Sequence, residues 1–149
     1  MSHIQLALNV DDLDASIEYY SRLFGTRPAK TRPGYANFAV AEPPLKLVLI
    51  ENAGQGGSIN HLGVEVTDTR AVEATQSRLA ADGLTSTEER GTTCCYARQD
   101  KFWVEGGPDG ERWEVYTVLA DSETFSATDA DETCCATDAA SSSEATACC

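Results

Sequence analysis

His3-Ile4-Gln5-Leu6-Ala7-Leu8-Asn9-Val10 is echoed 58 residues later by His61-Leu62-Gly63-Val64-Glu65-Val66, and in both runs every second residue is apolar, the period of a half-buried strand. The residues after each run repeat the plan as well. Asp11 or Asp12 opens a helix with Leu13, Ile17, Tyr20 and Phe24 at helical spacing, and Gly25 suits its exit. Asp68 or Thr69 opens a weaker helix through Val72 and Leu79 toward Gly83. Strand-like runs come next: 35–40 and 45–50, split by Glu42-Pro43-Pro44, then 94–98, 102–105 and 113–118, the last two separated by the turn Gly106-Gly107-Pro108-Asp109-Gly110. The expected architecture is α+β. Two successive βαβββ modules, about 1–55 and 58–120, form a curved mixed sheet around a cleft.

The same alternation sorts side chains between the two faces. Ile4, Leu6, Leu8 and Val10 go to the helix side, leaving His3, Gln5, Ala7 and Asn9 on the other; His61, Gly63 and Glu65 match them in the second module, and Glu114, Tyr116 and Val118 share one face of the last strand. The chain has two histidines, and both fall at equivalent repeat positions on the less apolar face. With Glu114 they make a set of two imidazoles and one carboxylate, suitable for Fe, Mn, Ni or Zn. The run mirroring 113–118 in the first module has no carboxylate before Glu51, so three ligands with open positions are expected rather than a closed structural site. Gln5, Glu65 and Tyr116 share that ligand face.

Charge and composition narrow the partners. Among 149 residues, 24 are acidic and 11 basic, a net charge of -13, which repels a nucleic-acid backbone. No apolar run is long enough for a membrane span, and Met1-Ser2-His3 lacks the layout of a signal peptide; the expectation is a cytoplasmic protein without membrane partners. Every Lys and Arg lies at or before Arg112, whereas 121–149 is acidic, rich in Ala, Ser and Thr, and has Phe125 as its sole large apolar side chain. A domain over 1–120 followed by a disordered tail is therefore predicted.

The six cysteines fall as three adjacent pairs, Cys94-Cys95, Cys134-Cys135 and Cys148-Cys149. Adjacency argues against a disulfide framework and predicts thiols in a reducing compartment. Paired soft donors suit cadmium, zinc or trivalent arsenic. Neighbours on a regular strand point to opposite faces, so Cys94 and Cys95 can meet one arsenic only where the backbone bends.

The His3 strand, the helix Ala15-Ser16-Ile17-Glu18-Tyr19-Tyr20 ending Leu23-Phe24-Gly25, the His61-Leu62-Gly63 strand and the closing Pro108-Asp109-Gly110-Glu111-Arg112-Trp113-Glu114-Val115-Tyr116 together resemble the glyoxalase/bleomycin-resistance/extradiol-dioxygenase (vicinal oxygen chelate) superfamily. That resemblance implies a metal-binding cleft, with His3, His61 and Glu114 matching ligand positions. Thr92-Thr93-Cys94-Cys95-Tyr96-Ala97, with Gln99-Asp100-Lys101 and the Trp-Glu-Val-Tyr ending, is similar to the ArsI-type carbon-arsenic lyases. This implies a non-haem Fe(II) dioxygenase that uses dioxygen, with Cys94 and Cys95 holding a trivalent organoarsenical. A homodimer is an expectation from resemblance alone. The alternatives are a thiol transferase of the fosfomycin-resistance type and a non-catalytic protein that sequesters cadmium or arsenite.

Overall fold

In a computed structural model describing residues 2–126, the strand-period runs become β1 (His3–Val10), β3 (Tyr35–Val40), β4 (Leu45–Glu51), β5 (Ile59–Glu65) and β8 (Trp113–Asp121). Three further strands are β2 (Lys30–Arg32), β6 (Ser86–Cys94) and β7 (Ala97–Val104). Two helices complete the chain, α1 (Leu13–Phe24) and α2 (Thr69–Ala81). The tail pairs Cys134-Cys135 and Cys148-Cys149, with the disorder predicted for them, lie outside the described residues.

Both helices begin on an aspartate. The Asp12 carboxylate accepts the Ala15 N–H at 2.9 Å and that of Asp68 the Ala71 N–H at 2.8 Å, each satisfying one of the N–H groups a helix start leaves open. At the other end of α1, Gly25 takes φ 62° and its N–H bonds Ser21 O. Glycine accepts this left-handed conformation without strain.

The strands form one eight-stranded mixed sheet in the order β2-β3-β4-β1-β5-β8-β7-β6. β1 and β5 pair antiparallel at its centre; β4 runs parallel to β1, and β8 parallel to β5. The two βαβββ modules are thus related across the β1–β5 seam. On one face, Leu6, Leu8, Phe38, Leu47 and Leu49 pack with Leu13, Ile17, Tyr20 and Phe24 of α1, while Val64, Phe102 and Val115 pack with Val72 and Leu79 of α2. Each such side chain removed from water contributes about 1.5–3 kcal/mol, so these helix-side layers hold the sheet in its curve.

The other face closes on itself. Ala7, Tyr35, Val48 and Ile50 meet Cys94, Cys95, Tyr96 and Trp103 in one buried cluster, and Phe125 packs against it. Lys30 Nζ on edge strand β2 bonds Tyr96 O at 3.0 Å and Asp121 Oδ1 at 2.6 Å. One chain therefore encloses the cleft here.

The strands near the cysteines differ from expectation. Residues 99–101, which separate the expected strands 94–98 and 102–105, lie inside β7, and the chain turns instead at Cys95-Tyr96, where Cys94 pairs with Ala97. No Gly, Asn or Pro marks that turn, so nothing local announced it. β6 and β2 were missed because they are polar edge strands without apolar alternation. Asp12→Ala is expected to lower stability by about 1 kcal/mol, read as a lower urea midpoint with unchanged slope.

Candidate metal and thiol site

The register around Gly63 builds the first half of the site. Gln5 on β1 lies opposite Gly63 on β5, which in turn lies opposite Glu114 on β8. A Cβ on Gly63 would come within 3.2 Å of Glu114 Cγ and 3.3 Å of Gln5 Cβ and Tyr116 Cε1. Lacking one, the central residue lets its neighbours lean together. Gln5 Nε2 donates to Glu114 Oε1 at 2.9 Å and lies 3.0 Å from His61 Nε2, which is 3.3 Å from Glu114 Oε1. Gln5, His61 and Glu114 are all buried.

The neighbours of this trio set its charge. His61 Nδ1 faces Asn60 Oδ1 at 2.8 Å, an acceptor that places the neutral ring's proton on Nδ1 and leaves the Nε2 lone pair turned inward. Lys101, fully buried, reaches Glu114 Oε2 at 3.2 Å and Glu89 Oε2 at 3.7 Å, with its ammonium 4.8 Å over the Trp103 ring. Burial pushes the Glu114 carboxyl upward, but the Lys101 cation beside it and the hydrogen bond that cation donates outweigh it and hold the group at about 2. Glu114 is thus a carboxylate at neutral pH, with Oε1 turned toward His61.

His3 goes elsewhere. Antiparallel pairing sets His3 opposite Glu65 and His61 opposite Ala7, so the repeat-equivalent histidines stand four residues, about 13 Å of strand, apart. His3 Nε2 meets Glu65 Oε2 at 3.1 Å, and Lys46 Nζ meets the same oxygen at 3.2 Å. Burial raises the Glu65 carboxyl, yet Lys46 and the Tyr116 hydroxyl bring it below the ordinary carboxylate range. The Tyr116 hydroxyl bridges Glu65 Oε2, at 3.0 Å, to Gln5 Oε1. Sequence alternation had put Gln5 on the right face; only the register shows that it, and not His3, stands beside His61 and Glu114. Among the described residues no three His, Cys, Asp or Glu side chains converge, because the third donor is an amide.

The second half of the site is the β6–β7 hairpin. Cys95 and Tyr96 take φ 54° and 60°, the left-handed pair of a tight hairpin turn that Asn-Gly usually supplies. Side chains larger than glycine there cost about 1–3 kcal/mol each; the buried cluster of Tyr35, Tyr96 and Trp103 around them offsets it. The turn resolves the alternation problem, since the Cys94 and Cys95 sulfurs lie 3.5 Å apart. Cys94 is disulfide-bonded, and not to Cys95 at that separation, so the thiol expected there appears only on reduction.

Both halves open on one cavity of about 400 Å³, whose lining includes Gln5, Tyr35, Cys95, Gln99 and Glu114. Cys94 lies fully buried behind Cys95. His3 and Glu65 also line the cavity, close to Lys46 at its margin. One imidazole nitrogen and one carboxylate oxygen face inward beside the Gln5 amide, whose NH2 now lies between them; with that amide reversed so that its carbonyl points inward, the three fit a first-row divalent metal.

Residues 1–115 match the Glyoxalase/Bleomycin resistance protein/Dioxygenase superfamily, to which this chain belongs. It is 60% identical over 136 residues to the trivalent organoarsenical cleaving enzyme of Thermomonospora curvata, covering 91% of this chain and 89% of that one. It is 67% identical over 125 residues to the cadmium-induced protein CadI of Mycobacterium tuberculosis, covering 84% and 82%. An extradiol ring-cleaving dioxygenase from B. fuscum shares the fold, with TM-score 0.56 and 17% identity over 80% of this chain and 33% of that one.

The depressed Glu114 value carries a sign. A carboxylate lowered in the folded state contributes stability above its unfolded value of 4.5 that is lost as pH falls toward 2. Lys101→Met, which leaves that buried charge unpaired, is expected to cost about 3–5 kcal/mol and to move acid unfolding to higher pH, followed by tryptophan fluorescence.

Proposed function

We propose that this protein cleaves the carbon–arsenic bond of trivalent organoarsenicals, methylarsenite and aromatic arsenites among them, releasing arsenite in an Fe(II)- and dioxygen-dependent reaction. The observation that carries this reading is the shared cavity, lined by Cys95 on one wall and by Glu114 and Gln5 on another, with the Cys94 sulfur buried 3.5 Å from that of Cys95 and the His61 imidazole buried 3.0 Å from Gln5 Nε2. The likeness to organoarsenical cleaving enzymes supports it.

His61, Glu114 and Gln5 would hold the iron, with Gln5 in the role the sequence suggested for His3. A half-turn of the Gln5 amide would present its carbonyl to the metal, with its NH2 donating to the Tyr116 hydroxyl oxygen while that hydroxyl keeps its hydrogen bond to Glu65 Oε2. When bound, ferrous iron supplies the redox chemistry toward dioxygen that protein side chains lack.

The sulfur pair, once reduced, positions the substrate. An organoarsenical R–As(OH)2 exchanges both hydroxyls for the Cys94 and Cys95 sulfurs. Two As–O and two S–H bonds break, two As–S bonds form, and two waters leave. The remaining valence of arsenic carries the carbon substituent, the one group the clamp does not occupy. Holding that carbon in the same cavity as the oxidising centre replaces a bimolecular encounter by a fixed geometry. Lys101 keeps Glu114 ionised throughout, and the Tyr35, Tyr96 and Trp103 rings exclude water behind the sulfurs.

A second reading, sequestration of cadmium or arsenite without turnover, is favoured by the likeness to a cadmium-induced protein. Under it His61→Ala leaves resistance intact. Thiol transfer to an antibiotic is the weaker alternative, because a diffusible thiol makes two protein sulfurs in the cavity unnecessary.

The deciding experiment loads the reduced protein anaerobically with Fe(II), adds methylarsenite and oxygen, and speciates the arsenic. Arsenite should appear only with iron and oxygen both present. Cys95→Ala is expected to abolish turnover with near-normal iron content, and Glu114→Ala to lose the iron while still binding arsenic. Full activity in either variant would remove that residue's role.

A further inference from the structure

Gln99 is the unexplained residue of the cavity wall. It is 4% exposed, lines the cavity, and has no hydrogen-bond partner for its Oε1 among the described residues. The sense of the amide is fixed, because Nε2 donates to Cys94 O at 3.2 Å and the reversed amide would set two acceptors against each other. A buried carbonyl oxygen left unpaired is costly and calls for a physical reason.

Its place suggests what it accepts. Gln99 comes just after the hairpin tip on β7 and stands two residues before Lys101, the partner of Glu114. Alternation puts Ala97, Gln99 and Lys101 on one face. Gln99 thus shares with Cys95 and Glu114 the wall of the cavity in which the sulfurs would hold their ligand. Arsenic bound to two thiolates has one valence left. In a bound organoarsenical that valence is carbon, which donates nothing. In bound arsenite it is a hydroxyl.

We propose that Gln99 Oε1 is the acceptor for an arsenic-bound hydroxyl, so that the clamp also holds inorganic arsenite, with the two sulfurs and Gln99 reading its three valences. The proposal deepens the function above and rests on it for the clamp. Arsenite, As(OH)3, loses two hydroxyls to the Cys94 and Cys95 protons as two waters, gains two As–S bonds and keeps its third hydroxyl, with no change of oxidation state. Phenylarsenite loses both its hydroxyls in the same exchange and keeps only carbon. Gln99 is thus unpaired with an organic arsenical and paired with inorganic arsenic. The oxygen discriminates substrate from product and slows the departure of arsenite.

The test uses the metal-free, phosphine-reduced full-length chain carrying Cys134→Ser, Cys135→Ser, Cys148→Ser and Cys149→Ser, which confines arsenic to residues 94 and 95. Binding of arsenite and of phenylarsenite is titrated separately. Gln99→Met is expected to weaken arsenite about five- to tenfold, the size of one net hydrogen bond, and to leave phenylarsenite unchanged. If Gln99→Met leaves the ratio of the two affinities unaltered, with both ligands weakened or neither, the amide only braces the hairpin and the proposal is wrong. Cys95→Ser must lose both ligands; binding that survives it would refute the clamp itself, a separate outcome from failure at Gln99.

Discussion

The antiparallel pairing of β1 with β5, in the register that sets Gln5 against Gly63, is the constraint on which the site depends. It fixes which residues of two similar strands face each other, and parallel pairing of β5 with β8 extends the row to Glu114. Gly63 contributes by what it lacks. A side chain there would fall 3.2–3.3 Å from atoms of Gln5, Glu114 and Tyr116, tighter than packed side chains normally come. A shift of one residue along the seam would turn every inward side chain to the helix face.

Two unfavourable elements are built onto that frame, and each is held by its surroundings. A buried carboxylate is tolerated because a fully buried ammonium sits 3.2 Å from it and the Gln5 amide donates to its other oxygen. Two non-glycine residues in left-handed conformation are tolerated because Tyr35, Trp103 and Phe125 pack around the hairpin that carries them. Strain of this kind concentrates where a protein needs side chains in an orientation regular structure does not give. Here that orientation brings two consecutive sulfurs to one side of the chain.

Much of this was legible from the residues. Strand period, helix caps and the repeat of His3 at His61 gave the two-module plan, and alternation put His61, Glu114 and Gln5 on the cavity face before any contact was known. His3 stands apart from His61 for a geometric reason: repeat equivalence means similar position within a module, whereas antiparallel pairing carries equivalent residues away from each other along the seam. The Cys95-Tyr96 turn was hidden because its conformation is imposed by tertiary packing and not by glycine or asparagine. β2 and β6 were silent because polar edge strands bury too little to show a period. The disulfide at Cys94 likewise has no local signature.

The central claim is that sulfur clamp and metal site share a single cavity. Anomalous scattering from one crystal of the reduced protein, with a divalent first-row metal and phenylarsenite bound, locates both elements directly. The account predicts an arsenic peak on the sulfurs of Cys94 and Cys95 and a metal peak between His61, Glu114 and Gln5, both inside the cavity of about 400 Å³. Arsenic bound away from the hairpin, or metal seated on His3 and Glu65, would contradict it.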